Sequence, residues 1–280
     1  MSILIADCGG TKTDIRLLQD EHVSQFQCSG YNALTHPSLQ FLDELRLFGE
    51  LDKKSIKEVH VYAAGLINND IGVSLREALH QEFPKAVVET NGDLLGAARA
   101  LCLDQPGIAC ILGTGSSSCF YNGEKIKNQV PSLGYILGDE GSGASLGKAL
   151  IRGVWRGELS SRTISRFKKR YPDDLGVMLT TLYQGEVPAQ FLAGFSKFIF
   201  QNLDDPSVYK MVYSSFEKLF DNVLSQYELQ KHMVHFSGSV AFYYSNILRQ
   251  VANDKHIAVR NILETPIAGL TLFHQKKYDR

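Results

Sequence analysis

The feature that most constrains the fold is a pattern that occurs twice. Residues 3–18 read ILIADCGGTKTDIRLL, and residues 109–121 read ACILGTGSSSCFY. Each is an apolar strand, a loop of glycine and hydroxyl residues, and a return strand with near-alternating apolar positions. A polar turn follows, Gln19-Asp20-Glu21 in the first copy and Asn122-Gly123-Glu124 in the second. A third strand is expected after each turn, and Asn-Gly is a strong hairpin signal. Two such units about a hundred residues apart predict two halves built on one plan.

Between and after the copies the period changes. Residues 38–48 and 74–83 repeat apolar positions at helical spacing, and residues 94–103 form an Ala/Leu-rich helix. Strands are expected over Val59–Gly65, ending at that glycine, and at Ala86–Thr90. From Ser142 to about Leu229 the pattern is almost wholly helical. A strand at Met233–Phe236 ends at Ser237-Gly238-Ser239, followed by a helix to about Ala252, and a last helix spans roughly 266–277. No Pro/Ser/Gly-rich linker divides the chain, and the crossover falls near Leu103–Gly107. Hairpin-linked strands mixed with crossover helices imply a mixed sheet in each half, α/β in class.

Composition is that of an ordinary globular chain, with a formal net charge of -1. No global positive field recruits nucleic acid or an anionic membrane. The run Arg166-Phe167-Lys168-Lys169-Arg170 reads as the solvated end of a helix. The five cysteines, Cys8, Cys28, Cys102, Cys110 and Cys119, have no metal spacing and suit a reducing compartment. With no signal core and no apolar run of membrane length, the cytoplasm is the expected location. The eight histidines form no cluster along the sequence.

Gly9, Gly10, Thr11, Lys12 and Thr13 follow the first strand directly. Glycines let backbone amides approach an anion closely, and hydroxyls add donors, so the loop can take a phosphate chain. Asp7, at the strand end, offers a hard oxygen ligand to Mg²⁺. The spacing is neither that of a Walker loop nor of a dinucleotide fingerprint, both of which lead into a helix. A tight structural hairpin is the other reading of this loop. The second loop, Gly113, Thr114 and Gly115 with Ser116 and Ser117, favours the phosphate reading. Two such loops facing across a cleft can clamp the β- and γ-phosphates.

DCGGTKT, AAG, NGD, LGTGSSS, GDEGS and SGS, in this order, resemble the N-acetylglucosamine kinase branch of the actin/sugar-kinase/Hsp70 superfamily. That branch also holds the ATPases that activate benzoyl-CoA reductases and hydroxyacyl-CoA dehydratases. The resemblance covers essentially the whole chain, strongest through residue 147 and weak over 158–230. It implies two ribonuclease-H-like domains flanking a nucleotide cleft, 1–104 plus 266–280 and 105–265, the second with a helical insertion. It also implies ATP with Mg²⁺, closure on sugar binding, and a homodimer.

Site roles follow from the same resemblance. Asp93 matches the catalytic aspartate, which takes or orients the hydroxyl proton; locally it also reads as a helix N-cap. Asn32, Ser116, Ser117, Gly134, Tyr135 and Asp139 match sugar-side positions. Tyr135 is open between stacking on a sugar face and a place in the core, and Glu140 between a structural and a sugar-binding role. Gly238 and Ser239 match the adenine or ribose side, with a plain strand–helix turn as the other reading. Ala193-Gly194 reads either as nucleotide-facing or as helix packing, and Gly269 as a close-packing position. N-acetylglucosamine is the first expected substrate, then N-acetylmuramic acid and glucosamine. An activator of an Fe–S enzyme would need thiolate ligands at an interface, and the cysteines are poorly placed for that. A non-catalytic sensor would have no need of Asp93.

Overall fold

The computed structural model describes residues 2–19, 22–48, 52–66 and 69–276. Asp20 and Glu21 of the first predicted turn, and Lys277 of the last predicted helix, lie outside them. The chain divides into two compact units, Met1–Gln105 with Gly123–Lys125 and Pro266–Arg280, and Pro106–Asn122 with Ile126–Thr265.

The first unit contains β1 (Ser2–Cys8), β2 (Lys12–Gln19), β3 (His22–Ser29), α1 (Ser38–Arg46), β4 (Glu58–Ala63), α2 (Asn69–Glu82), β5 (Val87–Gly92) and α3 (Asp93–Cys102). The second contains β6 (Pro106–Leu112), β7 (Ser116–Asn122), β8 (Ile126–Val130), α4 (Gly134–Leu137), α5 (Gly143–Trp155), α6 (Ser161–Arg170), α7 (Leu175–Gln184), α8 (Pro188–Ala193), α9 (Ser196–Phe200), α10 (Pro206–Asn222), β9 (Val234–Ser237), α11 (Ser239–Tyr243), α12 (Ser245–Asp254) and β10 (Val259–Leu263). Helix α13 (Ile267–Lys276) returns to the first unit.

The duplicated sequence is a duplicated topology. The first sheet runs β3-β2-β1-β4-β5 and the second β8-β7-β6-β9-β10. In both, the strand before the loop pairs antiparallel with its return strand and parallel with a later one, β1 with β4 and β6 with β9. The period of two decides how β1 is buried. Leu4, Ala6 and Cys8 join a cluster with Phe41, Leu45 and Leu79, while Ile3 and Ile5 join Tyr62, Ala100, Ile267 and Leu270 on the other side. Each such large side chain removed from water contributes roughly 1.5–3 kcal/mol.

The predicted helix at 74–83 begins earlier, at Asn69, and the one expected up to Ala252 is two, α11 and α12. Strand β10 has no counterpart in the sequence reading. It is a mostly exposed edge strand whose Arg260 and Asn261 break any alternation. The basic run closes α6, with Phe167 buried beneath it. Three of its four cations have partners: Arg166 with Asn202 at 2.7 Å, Arg170 with Gln201 at 2.7 Å and Lys168 with Asp173 at 2.8 Å. Ala193-Gly194 ends α8, which lies so close to α5 that a Cβ on Gly147 would stand 2.0 Å from the Leu192 carbonyl oxygen. Ala193 belongs to this packing, its Cβ 2.9 Å from where a Cβ on Gly143 would stand, while Gly194 is exposed.

Helix α13 docks on α3 by the same means. A Cβ on Gly269 would stand 2.3 Å from the Ala100 carbonyl oxygen, and backbone cannot yield as a flexible side chain can. Gly269→Ala is expected to cost about 1–3 kcal/mol, as overpacking typically does. A urea denaturation midpoint unchanged from wild type would show that the two helices separate freely.

Candidate functional site

Polar chemistry in the first unit gathers where the parallel strands β1, β4 and β5 end. In an open α/β sheet this carboxyl edge is where ligands bind. Asp7 is the penultimate residue of β1, the loop Gly9–Thr11 follows it, and Asp93 opens α3 directly after β5. The loop is closed by the Gly9 amide donating to the Lys12 carbonyl at 3.0 Å, and tied to the chain after β3 by the Tyr31 amide donating to the Gly9 carbonyl at 3.1 Å. Gly30 supports it from below: a Cβ there would stand 2.6 Å from the Gly10 carbonyl. Gly10, Thr11 and Lys12 are exposed, and Lys12 pairs with Asp14 at 3.1 Å. Thr13 differs from its neighbours. Its side chain is wholly buried opposite Cys8, and its hydroxyl has no hydrogen-bond partner among the described residues, so it is turned into the core and away from the loop.

Asp93 is the first residue of α3, and Gly92 occupies the cap position. The carboxylate accepts from the Leu94 amide at 2.8 Å, so it sits at the positive end of the helix without forming the side-chain cap. Burial raises its pKa above the ordinary range, against those amide bonds. Asp7 is pushed up to about 8, first by burial and then by the charges of Asp93 and Asp14, with Lys12 only partly opposing them. Two recessed carboxylates with so little cationic compensation make a donor set that fits a divalent cation. Asn32 lies in the turn after β3. Its side-chain oxygen accepts from the Leu34 amide at 3.0 Å, which leaves the side-chain amide without a protein partner.

The second unit repeats the layout at the ends of β6 and β9, with a firmer hold on its loop. The Gly113 amide donates to the Gly115 carbonyl at 3.0 Å. The carbonyls of Gly113 and Thr114 accept from Gly143 and Ala144, the first amides of α5, at 2.8 and 3.0 Å. Asp139 holds the far side, its Oδ1 accepting from the Ser116 amide at 3.1 Å and the Ser132 hydroxyl at 3.3 Å. It is buried in a left-handed conformation, φ 59°, which Asp tolerates better than most residues. Burial raises its pKa, opposed by those bonds and by Lys148. The amides of Thr114 and Gly115 make no hydrogen bond among the described residues. Ser116 and Ser117 begin β7 half-buried.

Gly238 lies directly under this loop. With φ 112° and a would-be Cβ 2.3 Å from the Leu112 carbonyl oxygen, only glycine fits. Ser239 is exposed at the start of α11. Gly134 and Tyr135 open α4, where Gly134 has φ 70°, the Tyr135 ring packs against the core, and the Tyr135 carbonyl accepts from Lys148. The supporting roles of Gly30 and Asp139 are absent from the sequence reading. The signal for Gly30 is its place in Gly30-Tyr31-Asn32; nothing in the sequence marks the positive φ of Asp139.

The Asp7 environment has a measurable sign. The folded protein keeps a proton on this carboxyl that the unfolded chain releases above about pH 4. The associated stability is present at low pH and is lost as pH rises through about 8. Asp7→Asn removes this dependence. Without divalent cations, the variant is expected to melt above wild type at pH 8 and close to it near pH 4. Identical curves at both pH values would show that Asp7 is solvated.

No family model matches the chain, and no curated protein does. Among solved structures it is similar to one described as a "putative N-acetylglucosamine kinase" from Porphyromonas gingivalis. The two share 38% identity over 99% of each chain, with a TM-score of 0.93. A structure of the same description from Chromobacterium violaceum gives 18% identity, a TM-score of 0.77, and coverage of 97% of this chain and 98% of that one. A ROK-family glucokinase from Streptomyces griseus, in complex with glucose and AMPPNP, gives 16% identity and a TM-score of 0.59, covering 96% of this chain and 97% of that one.

Proposed function

The chain belongs to the N-acetylglucosamine kinase-like branch of the actin/sugar-kinase/Hsp70 superfamily, and we propose that it phosphorylates an amino sugar hydroxyl, N-acetylglucosamine first among substrates. The observation that carries this reading is Asp93. It is a carboxylate recessed at a helix start on the carboxyl edge of the sheet, with its pKa raised by burial. A base whose pKa is drawn toward the working pH is matched to proton transfer.

In this reading the sugar hydroxyl oxygen bonds to the γ-phosphorus of ATP as the bond to the ADP oxygen breaks, and the hydroxyl proton passes to Asp93. Gly9, Gly10, Thr11 and Lys12 in the first loop and Gly113, Thr114 and Gly115 in the second line the phosphate chain, with Gly9 and Gly113 spending their amides on closing the turns. Thr13 acts through the backbone alone, since its hydroxyl is in the core. Gly238 and Ser239 take the adenosine side. Asn32, Ser116, Ser117, Gly134, Tyr135 and Asp139 form the sugar side, with Asp139 also fixing the loop. Asp7 would hold Mg²⁺, which when bound neutralises charge on the phosphates. Cytoplasmic residence and a homodimeric assembly complete the same proposal.

The activator reading is disfavoured by the cysteines: Cys8, Cys102, Cys110 and Cys119 are buried, where a cluster at a subunit interface could not reach them. The test is an ADP-release assay with MgATP and a panel of hexoses and N-acetylhexosamines. Wild type is expected to turn over an N-acetylhexosamine. Asp93→Asn should lower turnover by about 10²–10⁴-fold while nucleotide affinity stays close to wild type. ADP release indifferent to every sugar would overturn the kinase reading, and undiminished turnover in the variant would remove Asp93 from the chemistry.

A further inference from the structure

Helices α5 and α10 of the second unit face each other across a cavity of about 500 Å³, apart from the loop held by the start of α5. The spacing of the lining residues shows how it is built. Ser145, Lys148, Ala149 and Arg152 form an i, i+3, i+4, i+7 stripe on α5. Ser207, Lys210, Met211, Ser214, Ser215 and Lys218 extend the same spacing on α10. On helices that pack together such stripes are ordinarily apolar. Here they carry four cations, and Glu158 is the one carboxylate among the lining residues.

The four cations gather here in a chain whose formal net charge is -1, with Glu158 in the lining and Asp139 near Lys148 as the carboxylates set against them. Arg152, Lys210 and Lys218 make no hydrogen bond or ion pair among the described residues, and Lys148 donates only to the Tyr135 carbonyl. Lys148 and Arg152 are a like-charge i, i+4 pair, which a helix disfavours on its own account. Hydroxyls line the same space: Ser215 is buried, with its Oγ 3.4 Å from that of Ser145. Leu159 and Met211 supply an apolar margin. The volume falls within the usual small-ligand range of about 300–1,000 Å³.

We propose that this cavity binds a small phosphomonoester with a hydroxylated body, of the size and class of a sugar phosphate. The guanidinium of Arg152 can take a phosphate dianion through two parallel donors, and Lys210 and Lys218 add point charges. The serine hydroxyls match a polyol. The assignment is independent of the phosphoryl-transfer reading, because its test measures binding and not turnover.

The experiment is calorimetric titration of the full chain with glucose 6-phosphate, inorganic phosphate and glucose. The nucleotide site is first filled with AMPPNP and Mg²⁺. Wild type is expected to bind glucose 6-phosphate more tightly than inorganic phosphate, and glucose least. Arg152→Gln and Lys210→Gln are exposed positions that leave the core intact, and each should weaken glucose 6-phosphate by about tenfold or more. Affinity unchanged in both variants, or no binding to wild type, overturns the site. Inorganic phosphate bound as tightly as glucose 6-phosphate overturns the polyol part.

Discussion

Burial of a central strand on both faces governs the rest of the structure. Ile3, Leu4, Ile5 and Ala6 of β1 are wholly inaccessible, as are Ile108, Ala109 and Cys110 of β6. A strand enclosed in this way tolerates no unpaired charge along its length. Polar chemistry is therefore displaced to the strand ends, and in both units it collects at the carboxyl edge. Asp7 marks the boundary: one residue before β1 ends, it already feels burial strongly enough to resist ionisation.

The two loops solve the same problem with different means. The first is fastened by a turn bond within the loop and a bond to the chain after β3, and its tip is exposed. The second is gripped on both sides, by the start of α5 and by Asp139. The resemblance between the copies thus ends at the level of support. What is shared is the strand–loop–strand path and the five-stranded order; what differs is which side chains and helices immobilise the turn.

Much of this was legible in the sequence because it rests on local pattern. The apolar run before each loop, the return strands, and helices α1, α3 and α13 all show their period directly. Strand β10 was not legible, because Val259–Leu263 lies at a sheet edge and has too little buried face to impose alternation. The site residues were legible as residue types but not as orientations. Thr13 looks like another loop hydroxyl, and only the strand register, which sets it opposite Cys8, turns it inward. Asp93 looks like a helix cap, but the helix begins at Asp93 itself, so the cap position falls on Gly92. Asp139 bonds to Ser116, 23 positions away, a separation no local pattern encodes.

The bonds between α5 and the second loop also bear on how the loop meets a ligand. With the Gly113 and Thr114 carbonyls fixed to the helix start, the chain there gives up its freedom when the protein folds. If the loop takes a phosphate as proposed, the anion would order little that was previously loose. A loop held so rigidly would discriminate by where an oxygen sits, and not by charge alone.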